Sequence, residues 1–167
     1  MRRVLIATAA GAAILTAGSA SALTATTTFQ VTATVLTTCS VAATTLAFGN
    51  YTPGGGNATG TSAVNVKCTK TTPFTAALNG GTTVGGTVAQ RLMNSAGNTL
   101  QYNLYTTNAY GTVWGDGSGT SATQAGAGLG LATAVPFTVY GQLPDNATNQ
   151  GAVPGAYTDT ITVTVTY

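Results

Sequence analysis

Few residues of this chain could perform acid–base or nucleophilic chemistry. The 167 residues include no histidine and no glutamate, and the acidic side chains are Asp116, Asp145 and Asp159. These aspartates lie far apart in turn-rich segments, whereas acid–base catalysis needs two groups held close together. A Ser-His-Asp or Cys-His site would require a histidine. The sequence therefore predicts that the protein is not an enzyme, with no catalytic residues and no cofactor.

The segment around Trp114 and Asp116 offers two further candidates for binding. An aspartate among glycines and serines could open a calcium loop, but the regular series of further oxygen ligands is missing, so a turn is favoured and no metal site is predicted. Trp114 could be an exposed stacking platform for a sugar, or a large aromatic side chain in the core or at an interface. The core or interface interpretation is favoured.

The first 22 residues have the features of a secretory signal peptide. Arg2 and Arg3 precede an apolar run, and small residues follow up to Ala22. We predict cleavage after Ala22, with cleavage after Ala20 as the alternative; the apolar run is short for a retained membrane anchor, which needs roughly 20 apolar residues. In residues 23–167 three acidic and three basic side chains balance. This composition predicts no nucleic-acid partner and no direct membrane insertion.

Cys39 and Cys68 are the two cysteines of the chain. Two thiols in an exported protein are most simply explained by a disulfide. The closed loop of about 29 residues would stabilise the fold by roughly 3.5 kcal/mol through chain entropy.

Apolar and polar residues alternate with period two in several short segments, which predicts β-strands. Residues 39–43 continue the alternating run that precedes Cys39, and the further predicted strands are residues 62–68, 73–78, 88–93, 98–106, 135–140 and 157–167. Residues 115–130 are rich in glycine, serine and alanine and predict a long irregular loop. Pro136 predicts a strand start or an edge. Short strands separated by turn signals predict one all-β antiparallel sandwich over residues 39–167.

The segment before the first cysteine, residues 23–38, contains a further alternating run, TTTFQVTATVLTT. Phe29, Val31, Ala33 and Val35 share one face, and threonine and glutamine occupy the other. This pattern predicts a half-buried strand. Because it would follow the signal cleavage site, it could pair with another molecule.

The order of several short motifs resembles the spore coat protein U domain family, which includes pilin subunits of archaic, Csu-type chaperone-usher pili. The motifs are CSV at 39–41, LAFGNY at 46–51, VNVKC at 64–68, LQYNLY at 100–105, WGDG at 114–117, VYG at 139–141 with Pro144, PGAYTD at 154–159 and VTVTY at 163–167. The resemblance implies an incomplete immunoglobulin-like β-sandwich that is completed by a donor strand from a neighbouring subunit.

The resemblance also implies partners and site residues. Phe29, Val31, Ala33 and Val35 match the donor strand, although Ala33 is small where a bulky aliphatic residue is expected. Ile161, Val163 and Val165 match the acceptor groove. The implied partners are neighbouring copies in a head-to-tail homopolymer, a periplasmic chaperone, an outer-membrane usher and other minor pilins.

The resemblance therefore implies a structural major subunit of an adhesive surface pilus that acts in adhesion and biofilm formation. Such a subunit is exported through the periplasm to an extracellular fibre. The alternatives are a tip adhesin, a spore or cell-coat structural protein, and a secreted monomeric carbohydrate-binding module that uses Trp114 and the 115–130 loop.

Overall fold

The computed structural model describes residues 21–167. The described residues fall into two units, residues 21–34 and residues 35–167. The predicted signal peptide, residues 1–22, lies outside the described residues except for its last two positions. In residues 21–34 the chain has no regular secondary structure and its side chains are exposed. The sandwich is formed within the second unit.

Within the described residues the second unit contains eight strands and one short helix. They are β1 (Cys39–Ala43), β2 (Ala58–Cys68), β3 (Pro73–Leu78), β4 (Arg91–Ser95), β5 (Asn98–Tyr105), β6 (Gln124–Ala127), β7 (Val135–Leu143), α1 (Ala147–Gln150) and β8 (Val163–Thr166). One sheet has the order β1-β2-β7-β5-β4 and the other the order β6-β3-β8. The predicted all-β class is confirmed.

The core lies between the two sheets and is built from the alternate residues that the sequence pattern selected. On β2 these are Val64, Val66 and Cys68, and all three are buried. Phe74, Ala76 and Leu78 of β3 and Leu100, Tyr102 and Leu104 of β5 meet them. The residues between them on β2 and β3 are half-buried or exposed because successive side chains of a strand alternate between its faces, whereas on β5 Asn103 is also buried. Period-two patterning therefore predicted the buried face of the central strands correctly.

The predicted disulfide forms at the edge of the larger sheet. Cys39 and Cys68 face each other in the ladder between β1 and β2, with Cα atoms 4.1 Å apart. Cys68 of β2 is fully buried and Cys39 of β1 is half-buried, whereas the other four side chains of β1 are exposed. The disulfide therefore ties a weakly buried edge strand to the core.

The predicted loop at 115–130 is partly wrong, because it contains β6. Gln124–Ala127 pairs with β3, and Gly126 lies over the ring of Phe74, where a Cβ atom would come within 2.6 Å of the ring. A glycine-rich segment can therefore act as a strand when it covers an aromatic side chain closely. Loop composition alone cannot reveal that contact.

The predicted strand at 157–167 is wrong in extent. Only Val163–Thr166 pairs with β3, whereas residues 157–162 are held by isolated contacts. The fourth predicted strand, 88–93, lies instead at Arg91–Ser95. Pro136 lies near the start of β7, before the part of that strand that pairs with β5. Its prediction as a strand start is confirmed.

The arm, residues 23–38, forms no strand with any described residue of the chain. The half-buried strand that the pattern predicts is therefore not formed within the described part of the single chain. Its pairing with another molecule stays a prediction.

Candidate functional site: an open groove between two strand edges

An apolar cavity of about 370 Å³ opens between the edges of the two sheets. Its lining residues are 43–46, Phe48, Ser62, Val64, Leu78, Met93, Tyr102, Leu104, Val139 and 157–161 with Val163. One rim is the segment that continues β1, and the other is the segment that leads into β8. We call this cavity the groove. Its floor consists of core side chains from both sheets.

Each rim of the groove adjoins an edge strand, the first β1 and the second β8. Among the described residues β1 pairs only with β2, and β8 pairs only with β3. Each of these edges therefore presents backbone N–H and C=O groups that no other described strand satisfies. Unpaired edges beside apolar surface are templates for the addition of a further strand. The arrangement can accept an extended peptide.

The rim that follows β1 depends on two glycines. Gly60 of β2 and Gly141 of β7 face each other in the ladder. A Cβ atom at Gly60 would lie 2.5 Å from the carbonyl oxygen of Ala47, and one at Gly141 would lie 2.8 Å from a methyl carbon of Leu46. The pair of glycines therefore lets the rim lie directly on the sheet.

The opposite rim is held by the carboxylate of Asp159. Its Oδ2 accepts a hydrogen bond from the Tyr102 hydroxyl at 2.7 Å. Its Oδ1 accepts from the backbone N–H groups of Thr82 at 2.9 Å and Thr83 at 3.1 Å. Thr158 and Asn94 also exchange backbone hydrogen bonds. These contacts fix residues 157–162 in place although they form no continuous strand.

The electrostatics of this rim follow from those contacts. Burial acts to raise the pKa of Asp159, but the hydrogen bonds, led by that from Tyr102, outweigh it and hold the pKa below its ordinary value. Burial, together with the hydrogen bond to Asp159, raises the pKa of the Tyr102 hydroxyl. Asp159 is therefore ionised and Tyr102 neutral near neutral pH, which preserves the contact.

Arg91 lies beneath the same region and is completely buried. Its guanidinium donates to the carbonyl oxygen of Asn79 at 2.9 Å, to Oδ1 of Asn103 at 2.6 Å and to the carbonyl oxygen of Trp114 at 2.9 Å. Burial lowers its pKa from the ordinary arginine value. The side chain thus links β4, β5 and two connecting segments through neutral oxygen atoms.

We expect Arg91→Lys to destabilise the domain by about 2 kcal/mol, because a lysine ammonium cannot reproduce three directed bonds from a planar group. Urea unfolding measures the change in the free energy of unfolding. Lys67→Arg, at an exposed position, is the matched control. Equal unfolding midpoints for Arg91→Lys and the control would contradict the assigned role of the guanidinium.

A second cavity, of about 900 Å³, adjoins one end of the groove. It is lined by residues 46–51, Pro53, Met93, Leu100, Leu143 and residues 152–157.

Beside this cavity, the carboxylate of Asp145 holds the loop that follows Tyr51. Its Oδ1 accepts hydrogen bonds from the Tyr51 hydroxyl at 2.5 Å and from Gly54 N–H at 3.0 Å. Its Oδ2 accepts a hydrogen bond from Gly56 N–H at 2.8 Å. The hydrogen bond from Tyr51, followed by those from the two glycines, lowers the pKa of Asp145 to about 2. Burial, and then the contact with Asp145, raises the pKa of Tyr51 to about 12.

This depressed pKa predicts a pH dependence. The contribution of Asp145 to stability is fully present above the ordinary aspartate pKa of 3.8 and is lost as the pH falls through about 2. We expect Asp145→Asn to be less stable than the parent chain at pH 7, with the difference shrinking between pH 4 and pH 2. Thermal unfolding across this range checks it, with Lys70→Gln, at an exposed position that carries no carboxyl group, as control. A pH-independent difference between parent and variant would contradict it.

The structure places the predicted site residues as follows. Ile161 and Val163 line the groove, whereas Val165 is half-buried against the core and does not line it. Phe29, Val31 and Val35 are exposed by 86%, 82% and 86%, and Ala33 is also exposed. The side chains predicted to act as plugs are therefore free of contacts that would cover them. Their insertion into a groove stays a prediction.

The alternatives for the Trp114 segment separate clearly. Trp114 is fully buried, and its indole N–H donates to the carbonyl oxygen of Ala76 at 3.0 Å. The core interpretation is confirmed, and the interpretation as a sugar-stacking platform is wrong.

Asp116 forms a local turn with Ser118. Its Oδ1 accepts hydrogen bonds from the backbone N–H of Ser118 at 2.9 Å and from the Ser118 hydroxyl at 2.6 Å, and these bonds lower the pKa of Asp116. This segment is a turn.

Sequence reasoning missed several residues that shape the groove. Leu46 and Phe48 line its first rim, and their alternation in the sequence was an available signal. No local pattern indicated that Asp159 contacts Thr82 and Thr83, which are more than 70 positions away. Within residues 21–167 no cluster of three or more potential metal ligands occurs. No helix in this part of the chain has the length and apolar character needed to cross a membrane.

Comparison with known proteins identifies the family. The sequence profile of the Spore Coat Protein U domain matches residues 25–164. The chain belongs to the Spore Coat Protein U domain family. The predicted family resemblance is thereby confirmed, and the match includes most of the arm as well as the sandwich. No curated protein matches the chain.

A similar solved structure is the crystal structure of the CsuC–CsuE chaperone–tip adhesion subunit pre-assembly complex from archaic chaperone-usher Csu pili of Acinetobacter baumannii. The similarity has a TM-score of 0.53 at 24% sequence identity and covers 80% of this chain. The present chain spans 40% of the length of the matched chain. The two share a fold, in agreement with an incomplete immunoglobulin-like sandwich.

Proposed function

We propose that this chain is a structural subunit of a surface pilus that is assembled by donor-strand exchange. The observation that carries the proposal is the groove: an apolar cleft bounded by two unpaired strand edges, in a chain that also has an exposed arm with alternating apolar residues. In the assembled fibre, the arm of one copy fills the groove of its neighbour.

The energetics of burial support this assignment. Phe29, Val31 and Val35 are nearly fully exposed in the single chain. Burying three or four such side chains would contribute roughly 1.5 to 3 kcal/mol each, or on the order of 5 to 10 kcal/mol before ordering costs. Backbone pairing with the free edge of β8 supplies further affinity and sets the register. Because one copy donates and the next accepts, the contact does not close and produces a filament.

The proposed addition of a strand to the groove also defines the partners of the chain. Before assembly the groove would be covered by a periplasmic chaperone, and an outer-membrane usher would exchange that strand for the arm of the next copy. Minor pilins could join through the same arm and groove. The similar solved structure is itself a complex of a chaperone with a tip adhesion subunit, which supports a chaperone partner here. The fibre would lie outside the cell and serve adhesion and biofilm formation.

Imaging of the cell surface tests the proposed function. We expect thin filaments that an antibody to this chain decorates and that disappear when its gene is deleted. The purified chain should form polymers that dissociate only under strongly denaturing conditions. Labelling confined to a spore or cell coat would favour the coat alternative, and a uniformly monomeric purified protein would contradict donor-strand assembly.

A further inference from the structure

Met93 of β4 lies where the groove and the second cavity meet. It is the one methionine that follows the predicted signal peptide, and the two cysteines of the chain are joined in the disulfide. The side chain of Met93 is half-buried and lines both cavities. Because both cavities are open to water, small solutes can reach its thioether. Met93 therefore carries the one reduced sulfur atom of residues 23–167.

The backbone around Met93 is fixed next to the rim that leads into β8. Met93 pairs with Leu100 in the ladder between β4 and β5, and its side chain packs against the core. Asn94 N–H donates to the carbonyl oxygen of Thr158 at 2.9 Å, and Thr158 N–H donates to the carbonyl oxygen of Asn94 at 3.1 Å. Thr158 itself lines the groove. Met93 is thus held beside the space that a donor strand would fill.

The thioether of Met93 is a target for peroxides. Its sulfur lone pair attacks one oxygen of hydrogen peroxide, so that an S–O bond forms while the O–O bond breaks. The departing hydroxide takes the proton of the new S–OH group and becomes water, which leaves a sulfoxide. Sulfur loses two electrons and the peroxide gains them. Trp114, the other side chain prone to oxidation, is fully buried, so the reaction should select Met93.

A sulfoxide at Met93 would oppose insertion of a donor strand. Oxidation turns a flexible apolar side chain into a polar one with a hydrogen-bond acceptor. Leu46 and Phe48 line both cavities beside it, and the nearby Tyr102 hydroxyl already donates to Asp159 at 2.7 Å. An acceptor that is covered without a donor is costly, and we expect the affinity of the arm for the groove to fall by about tenfold or more.

We propose that Met93 is an oxidation site of the unassembled subunit, and that its sulfoxide blocks insertion of the arm of the next copy. The reactant is hydrogen peroxide or another peroxide. In the filament the inserted arm covers the groove and shields the thioether, and enzymatic reduction of the sulfoxide would restore assembly. This inference rests on the proposed donor-strand assembly and adds a chemical control to it. Subunits are sensitive to peroxide before assembly and resistant afterwards.

Peroxide treatment before and after assembly tests the site in the unsubstituted chain. Mass spectrometry of the peptide that contains Met93 measures the gain of one oxygen atom, about 16 Da. We expect the monomeric fraction to be oxidised at least about tenfold faster than the filaments, because the arm covers the thioether only in the filaments. Equal rates of oxidation in the two fractions would overturn the proposed shielding.

Two variants test the effect of the sulfoxide on assembly. Met93→Leu keeps the volume of the side chain and removes the sulfur. We expect peroxide to lower the polymer yield of the parent chain by about tenfold and to leave that of Met93→Leu unchanged. Met93→Gln, which is polar and of similar length, should assemble poorly without peroxide. Equal losses in the parent chain and Met93→Leu would overturn the assignment to Met93.

Further outcomes separate this inference from the proposed function. Circular dichroism should show that the oxidised chain keeps its strand content, and loss of the fold would overturn the proposed block of the groove. Normal assembly of a fully oxidised parent chain would overturn the inference while leaving donor-strand assembly intact. If the untreated parent chain forms no filaments, donor-strand assembly fails and the inference fails with it.

Discussion

Val31→Asp is expected to abolish fibre assembly while leaving the sandwich folded. Val31 lies on the apolar face of the arm and is 82% exposed in the single chain, so the substitution costs the isolated subunit little. In the groove, however, the variant would lose about 2 kcal/mol of burial. It would also place a carboxylate among apolar side chains, at a cost of several kcal/mol. The combined effect lowers the affinity of the arm for the groove by about three orders of magnitude or more.

The matched control for this prediction is Thr32→Asp, which puts the same charge on the opposite face of the same arm. Size-exclusion chromatography and electron microscopy of the two variants measure assembly. We expect polymers from Thr32→Asp and monomers from Val31→Asp. Chaperone binding should be equal in both, because the proposed chaperone strand would pair in the groove and not with the arm. Polymers of normal length from Val31→Asp would rule out the proposed donor face.

Replacement of both cysteines by serine is the second change with a large expected effect. The closed loop spans 29 positions, and removal of the cross-link should cost roughly 3.5 kcal/mol of unfolding free energy through chain entropy. Typical domains have only about 5 to 15 kcal/mol of stability in total. Guanidinium unfolding of Cys39→Ser/Cys68→Ser measures the loss, and the parent chain under reducing conditions should behave in the same way.

The loss should be concentrated at β1, the strand that leads into one rim of the groove. The four residues of β1 after Cys39 are exposed, so little burial holds this strand once the disulfide is absent. Hydrogen exchange should therefore accelerate at β1 more than at the central strand β2. Uniform acceleration of both strands would contradict the assignment of the disulfide to this rim, and an unchanged unfolding midpoint would contradict its contribution to stability.

The central part of the fold could be predicted from local sequence patterns. β3 was predicted at Pro73–Leu78 and found there, and the buried faces of β2 and β5 were also predicted correctly. Alternation is a local property of a strand that is buried on one face, so a single sequence reveals it. β6 escaped prediction because its glycine-rich composition is typical of a loop, and only its contact with Phe74 makes it a strand.

The short helix α1 is another element that composition did not indicate. Asn146 caps it by accepting a hydrogen bond from Asn149 N–H at 2.9 Å. Asn149, fully buried, accepts from Gln101 N–H at 2.8 Å and donates to the Gln101 carbonyl oxygen at 2.9 Å. Its amide thus takes the place of a neighbouring strand beside β5. This contact joins two residues 48 positions apart in the sequence, so no periodic sequence pattern indicates it.

The sequence by itself determined the all-β class, the pairing of Cys39 with Cys68, the family and the scarcity of groups for catalysis. These depend on composition, on residue order and on a period of two residues. Only the tertiary structure decided that an open groove exists, which residues form its rims, how Asp159 holds one rim, and how Arg91 links the segments around β4 and β5. The groove is a space between two sheet edges that are distant in sequence, and its shape results from long-range contacts of single side chains, which local patterns do not encode.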